Sequence, residues 1–377
     1  MFNQPKKSGA QSEIVVDLGS IGHNYRHVIR PMLNSDTKII AMVKSNAYGH
    51  GLIEVSKTLE NEQVDCLGIF SVDEALELRK NGIKSRIIMF GIPHKNDFDS
   101  IASNEIAVIV ASANELQQLH DWISISKKHM KVHLKIDTGM GRLGIFPKEV
   151  FTIVEKIFND YPFIELEGIC THFAESSSPD RSYTLQQGMI FNSLIEELAH
   201  KNINPPMIHA ANSGGIIHFP EFHFNAVRPG ILLYGLSPDS TKIEGLQPAL
   251  SLYSYIGNIK ELPVGSYISY GRTYQTQKPS KIAIIPLGYA DGIPLLLSNK
   301  GKVLIRDQFF PIVGSVCMNQ FMVDITENGD IQTGDQVIII GKDCHKSITV
   351  PELAQTASTI TYDVICRLTG FTHRRFI

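Results

Sequence analysis

From residue 38 to residue 230 the chain repeats one alternation, a short run rich in Val and Ile followed by a longer stretch of helical period. The runs are "KIIAMV" (38–43), "CLGIF" (66–70), "RIIMF" (86–90), "IAVIV" (106–110), "VHLKI" (132–136), "LEGICT" (166–171), "PMIHA" (206–210) and "NAVRPG" (225–230). Near-continuous apolar runs of this length read as strands buried on both faces. Strands that alternate with helices are joined by crossovers and make a parallel sheet. Between them lie helix segments such as "SVDEALELRKNG" and "KEVFTIVEKIFND", several opened by Ser or Asp and closed by Gly or Asn. The pattern predicts an α/β fold, and eight strands fit an eight-stranded (β/α)8 TIM-like barrel better than an open sheet, which the count alone does not exclude.

Beyond about residue 240 the texture changes. Strand-like runs such as "SKIAIIPLGYA", "KVLIRDQFFPIVGSV" and "GDQVIIIG" are separated by Gly, Pro, Asn and Asp turns, with one clear helix near "TVPELAQTAS". A mostly β C-terminal domain is expected, with the boundary near "SPDSTKIEG" (237–245), giving a barrel over 12–243 and a β domain over 244–377. A chain of 377 residues suits one large domain and one smaller one.

Charge and composition exclude several classes. A net charge of −3 supplies no basic field for nucleic acid or an anionic membrane. No apolar run reaches the ~18 residues of a membrane span, and "MFNQPKKSGAQSE" has no apolar signal-peptide region, so a cytoplasmic protein is expected. Cys66, Cys170, Cys317, Cys344 and Cys366 are odd in number and widely spaced, which argues against a disulfide framework or a zinc site and for a reducing compartment.

A barrel of this kind carries its chemistry at the C-terminal ends of the strands, and the loops after the seventh and eighth strands often bind phosphate. In "AMVKSNAYGHG" (41–51), Lys44 directly follows the first strand. After the seventh, "HAANSGG" offers Ser213 and small residues at a helix start, an anion site through free N–H groups and the helix dipole. After the eighth, "VRPGILLYG" offers the backbone of Gly230 and Ile231. A lysine nucleophile facing a phosphate cradle suggests a Schiff base with a phosphorylated aldehyde, pyridoxal 5'-phosphate being the obvious one. Ordinary surface charge at a strand end is the competing reading of Lys44.

The stretch around Lys44 resembles the cofactor-lysine motif of the alanine racemase family. The other matches follow in the family's order: "DTGMGRLGI" (137–145), "THFA" (171–174), "AANSG" (210–214), "VRPGI" (227–231), "ISYGRTY" (268–274), "GYADG" (288–292), "VGSVCMNQ" (313–320) and "TYDVICRL" (361–368). The resemblance implies a pyridoxal phosphate-binding barrel followed by a β domain, no metal, and a homodimer with active sites shared between subunits.

It also implies residue roles. Lys44 carries the cofactor and acts as one base, and Tyr270 of the partner subunit is the opposite base. A phenol is a poor base near neutrality, so that role demands cationic surroundings. Arg228 donates to the pyridine nitrogen, and His172 supports it. Tyr48, Ser213, Gly230, Ile231 and Tyr362 hold the phosphate, and Tyr362 with Tyr270 narrows the pocket toward alanine. Arg142 and the backbone of Met318 meet the substrate carboxylate, and Lys135 matches a lysine that some members carry as a carbamate. The implied reaction interconverts L- and D-alanine and supplies D-alanine for cell-wall peptidoglycan. Asn319, where many members have Asp, and Ser315, where an arginine is common, depart from the pattern and bear on substrate access. The alternatives are a non-catalytic pyridoxal phosphate-binding protein, an amino-acid decarboxylase on the related fold with Cys317 as its cysteine, and a cofactor-free Schiff-base aldolase.

Overall fold

The computed structural model describes residues 12–239, 241–371 and 373–377. Eight parallel strands close into a barrel: β1 (Lys38–Met42), β2 (Cys66–Ile69), β3 (Arg86–Met89), β4 (Ile106–Val110), β5 (Met130–Lys135), β6 (Ile164–Cys170), β7 (Met207–His209) and β8 (Ala226–Val227). Closure comes from β1, which pairs with β2 through Ile40 and Cys66 and with β8 through Lys38 and Ala226. Six lie within the apolar runs of the sequence, and β5 and β6 start two residues ahead of theirs. Residues such as Ile39, Leu67, Ile87, Val108, Leu134 and Ile169 are fully or almost fully buried, as expected for strands covered on both faces.

The helices begin where side-chain caps allow. Val72–Lys80 opens on Ser71, whose Oγ accepts from the Glu74 amide while the Glu74 carboxylate returns to the Ser71 amide. Ala113–Ser126 opens on Ser112, whose Oγ accepts the Glu115 amide at 3.1 Å, while the Glu115 carboxylate accepts the amide of Ala111.

The chain forms two compact units. The barrel unit spans Gly19–Ala47 and Leu52–Pro248; the β-rich unit takes in the described residues up to Leu18, Tyr48–Gly51 and Ala249–Ile377. Compactness therefore divides the chain differently from a single cut near 243. The strand Glu13–Val16 pairs antiparallel with Leu250–Tyr255, Ile14 facing Leu252, and belongs with the β-rich sheet. That sheet also holds Gln336–Lys342, Lys302–Ile305, Gln308–Pro311 and Arg374–Phe376. A second, three-stranded sheet is made by Asn258–Leu262, Ser280–Ile285 and Phe321–Asp324.

One expectation needs correction. Besides Val350–Thr356, the β-rich unit has a second helix, Thr361–Arg367, which carries Tyr362. Its "TYDVICR" is rich in β-branched residues and reads as strand by propensity; burial of Thr361, Val364 and Ile365 along one helical stripe overrides that preference. Among the described residues no helix is long and apolar enough to cross a membrane.

Candidate active site

Lys44 stands directly beyond the first barrel strand, on a backbone that ordinary sequence logic does not anticipate. Ser45, Asn46 and Ala47 have φ of 55, 53 and 52° with ψ of 52, 46 and 50°, and Tyr48 continues with φ 54°. This is a turn of left-handed helix built from four consecutive residues that are not glycine. The left-handed conformation costs roughly 1–2 kcal/mol per L-residue, less for asparagine, so Ser45, Ala47 and Tyr48 together store on the order of 3–6 kcal/mol. Its fastenings are specific. Ala47 donates its amide to the Val43 carbonyl at 2.8 Å, and the Asn46 carboxamide oxygen accepts the Leu52 amide at 2.8 Å. The Tyr234 hydroxyl donates to the Met42 carbonyl at 2.8 Å. The Ser45 amide donates to the Glu74 carboxylate at 2.5 Å.

Arg228, beyond β8, is buried and densely bonded. It donates to the carbonyls of Thr171 and Ala210 at 2.8 Å each, to His209 Nδ1 at 2.5 Å and to His172 Nδ1 at 3.2 Å. A guanidinium has no acceptor, so both Nδ1 atoms facing it are unprotonated and both rings carry their proton on Nε2.

That assignment propagates. His209 Nε2 donates to His133 Nδ1 at 2.9 Å, and His133 Nε2 donates to Glu167 Oε2 at 3.0 Å. Glu167 is then held by Arg86 and, at 3.3 Å, by Lys131. Burial alone would raise the Glu167 pKa, but hydrogen bonds from His133 and Arg86 outweigh it and hold the carboxyl at about 2. Burial holds His133 below its usual value, and burial together with the Arg228 charge holds His209 well below. The result is a chain of donors running one way, from Arg228 through two neutral imidazoles to a carboxylate. It has room because position 168 is glycine: a Cβ there would sit 2.2 Å from His133 Nδ1. His133, Glu167 and His209 escape the sequence reading because each falls within an apolar strand run. The available signal was a His or Glu in a run that is otherwise apolar.

Four basic side chains bear on His172. Burial and then the charges of Arg228, Lys135, Arg142 and Lys44 push its pKa well below the usual value, so the ring is neutral near pH 7. Lys135 ends β5 with its Nζ buried and without a hydrogen-bond partner among the described residues. Burial, reinforced by the Arg228 and Arg142 charges, brings its pKa down to about 7. Arg142 rides a loop folded around Asp137, whose carboxylate accepts the amides of Gly139 at 2.9 Å and Gly141 at 3.1 Å. The Tyr183 hydroxyl donates to the Gly139 carbonyl at 2.7 Å, pinning the same loop.

The expected phosphate residues of the barrel unit also meet. Ser213 Oγ accepts the Gly230 amide at 3.0 Å, which joins the loops after β7 and β8, while Ile231 is fully buried beside them. The adjoining helix Ser213–His218 is capped by Asn212, whose side chain accepts the Gly215 amide at 3.0 Å.

Tyr48, Tyr270, Met318 and Tyr362 belong to the β-rich unit. Tyr48 and Tyr362 lie with ring centroids 6.1 Å apart, and burial raises the Tyr48 pKa further above the ordinary phenol value, so it stays a donor. Tyr270 is 76% and Met318 55% exposed in the single chain. Tyr270 sits in a turn where Ser269, Gly271 and Arg272 all have positive φ. Ser315 Oγ bonds the Tyr270 carbonyl at 3.0 Å, and Ser269 Oγ bonds the Ser315 carbonyl at 2.6 Å.

Two family models account for nearly the whole chain, "Alanine racemase, N-terminal domain" over residues 16–238 and "Alanine racemase, C-terminal domain" over 249–376. The chain belongs to the alanine racemase family. It is 39% identical to the alanine racemase of Methanococcus maripaludis over 368 residues, 96% of this chain and 97% of that one. Among solved structures, the alanine racemase of Bacillus anthracis with bound L-Ala-P superposes with a TM-score of 0.90 at 35% identity, covering 98% of this chain and 96% of that one. The alanine racemase of Bartonella henselae, with covalently bound pyridoxal phosphate, gives a TM-score of 0.87 at 28% identity over 98% and 100%. The chain is accordingly an amino-acid racemase of a pyridoxal phosphate-dependent family, acting on alanine.

Proposed function

We propose that the chain interconverts L- and D-alanine with pyridoxal 5'-phosphate held at Lys44, using Lys44 and the Tyr270 of a partner subunit as bases on opposite faces of the substrate. The observation that carries the reading is the gathering of Lys44, Arg142 and Arg228 charge around His172, with the Arg228 guanidinium 3.2 Å from the His172 ring nitrogen. Such a cluster suits a ligand bearing a phosphate, a phenolic oxygen and a substrate carboxylate. The donor set fits the cofactor: a lysine at a strand end, a hydroxyl and backbone amides across two loops, and a guanidinium already oriented by four bonds. When bound, the cofactor supplies the electron sink that makes the alanine α-proton removable.

The chain's own residues do the rest. Lys44 takes or returns the proton on one face and Tyr270 on the other, so racemisation follows from a transfer at each. Arg228 can donate to the pyridine nitrogen but cannot accept from it, which keeps that nitrogen unprotonated and weakens the sink. His172 and His209 orient Arg228. Ser213, the amides of Gly230 and Ile231, and the hydroxyls of Tyr48 and Tyr362 receive the phosphate. Arg142 and the Met318 amide meet the substrate carboxylate. A homodimer would bring Tyr270 and Met318, both exposed on the single chain, to the partner's site. The product serves peptidoglycan synthesis in the cytoplasm.

Incubation with L-alanine in deuterium oxide tests the reaction. Optical rotation is expected to fall to zero as deuterium enters Cα. Release of carbon dioxide would point to a decarboxylase, and bound cofactor with no turnover to a carrier protein; either result overturns the proposal.

Lys135 supports a further detail. A carbamate forms from a neutral amine and carbon dioxide, and a pKa of about 7 leaves much of this amine neutral at physiological pH. The negative carbamate would then face Arg142 and Arg228 and satisfy the orphaned nitrogen. A native mass one carbon dioxide heavier than the chain plus cofactor is expected, with a carbonyl resonance after growth in 13C-bicarbonate. A bare amine has a second signature. An unfolded lysine titrates at its ordinary, higher value, so the unfolded state would bind more protons at pH values above about 7, and stability would climb with pH from there toward the ordinary lysine range. That climb, with no added mass, sinks the carbamate.

A further inference from the structure

We propose that Glu74 is the positioning residue for Lys44, acting through the left-handed turn; the proposal rests on the reading of Lys44 as the cofactor's anchor. In an ordinary capping box the glutamate returns to its own helix start and goes no further. Here the carboxylate does two jobs with its two oxygens. Oε2 accepts the amides of Phe70 at 2.8 Å and Ser71 at 3.2 Å, closing the start of the helix Val72–Lys80. Oε1 leaves that helix and accepts the amide of Ser45 at 2.5 Å.

Ser45 is the first left-handed residue, and its amide belongs to the peptide plane that follows Lys44. Fixing the direction of that N–H fixes ψ of Lys44. On the other side the barrel ladder fixes the chain, because Met42 donates to the Pro229 carbonyl at 2.9 Å and Val43 to the Gly68 carbonyl at 2.8 Å. The Cα–Cβ bond of Lys44 is thus aimed between a strand and a carboxylate. Phe70, whose amide shares that carboxylate, has its ring 5.8 Å from the Lys44 amine. One side chain sets both the backbone that carries the lysine and the backbone of the aromatic group facing it.

A carboxylate is suited to this and a carboxamide is not. Three amides point at Glu74, and each needs an acceptor. In Glu74→Gln one end of the side chain becomes a donor, so one side loses its partner. The single remaining oxygen satisfies two amides if it faces Phe70 and Ser71, which leaves Ser45 opposed by an NH2 group. Glu74→Asp keeps the charge but lacks the methylene needed to span both loops, and should behave alike.

Ser71→Ala is the control, because it removes the reciprocal half of the same helix cap without touching Ser45. If Glu74 positions Lys44, Glu74→Gln and Glu74→Asp lower kcat by about 10- to 100-fold, the size expected when a reacting group drifts by up to an ångström. KM for alanine stays within about twofold, while Ser71→Ala keeps kcat within about twofold and loses only thermal stability. A readout independent of turnover is amide hydrogen exchange in the Ser45–Tyr48 turn of the full-length protein. It should quicken at least about tenfold in both Glu74 variants, since local opening sets that rate, and stay unchanged in Ser71→Ala. Equal behaviour of Ser71→Ala and Glu74→Gln in kcat and in exchange reduces Glu74 to a helix cap and overturns the proposal, as does an unaltered turn in both Glu74 variants. Lys44→Ala run alongside separates the two readings: if it keeps the visible absorbance of lysine-bound cofactor, the anchor is wrong whatever Glu74 does.

Discussion

Lys44→Ala is expected to fold, to lose the visible absorbance of lysine-bound cofactor, and to racemise alanine more than about 10⁴-fold more slowly, because one substitution removes both the covalent anchor and a proton-transfer group. Folding should survive because the fastenings of the left-handed turn use other atoms. The bonds from Ala47 to Val43, from Leu52 to Asn46 and from Ser45 to Glu74 involve no Lys44 side-chain atom. Far-ultraviolet circular dichroism and thermal unfolding close to the parent's would establish an intact fold, against which the loss of absorbance and of turnover is read together. Added methylamine should restore part of the proton transfer without restoring the covalent link. A variant that keeps its colour or its activity places the anchor elsewhere.

Tyr270→Phe is expected to keep the cofactor and slow racemisation by about 10²–10⁴-fold, the usual contribution of one positioned acid–base group. Only a phenol oxygen is lost. The turn is held by bonds of Ser269 and Ser315 to backbone carbonyls, so its positive-φ geometry should persist. Loss of a base on one face has a signature that a general loss of activity lacks. In deuterium oxide, one enantiomer should go on exchanging its α-proton with retention through Lys44, while conversion to the other falls. Exchange that falls equally for both enantiomers would deny Tyr270 its separate face, and full activity would deny it any role as a base.

How far the site could be read ahead of the structure depended on what each residue answers to. The barrel strands are legible because burial on both faces demands unbroken apolar runs, and runs such as "IAVIV" leave few other options. The strand-end place of Lys44 and the meeting of Ser213 with Gly230 across two loops are legible because the order of strands fixes which loops stand at that end of a barrel. The left-handed turn is not. Left-handed backbone is ordinarily announced by glycine or asparagine, and of Ser45, Asn46, Ala47 and Tyr48 only Asn46 gives that sign. Ser45 is held by the distant Glu74, and the Tyr234 hydroxyl fixes the Met42 carbonyl at the strand end just ahead of the turn, so the surroundings that favour this backbone are not local in sequence. The buried chain from Arg228 to Glu167 is hidden for a related reason: spacing of 19 residues between His209 and Arg228 and 76 between His133 and His209 has no local meaning until the barrel closes. The helix carrying Tyr362 was obscured by its own β-branched residues.

The buried donor chain also alters what can be changed in this protein. In barrels of this kind the end where strands begin is commonly treated as a region of stability alone, open to redesign without consequence for the chemistry at the opposite end. Here Arg86 opens β3 and Lys131 stands second in β5, and both grip the carboxylate to which the chain from Arg228 runs. A charge-reversing or charge-neutralising edit at either position leaves Glu167 less compensated and passes through two imidazoles to the guanidinium at the far end. Protein engineers seeking a tougher variant should therefore leave that floor alone: in this barrel it is wired to the ceiling.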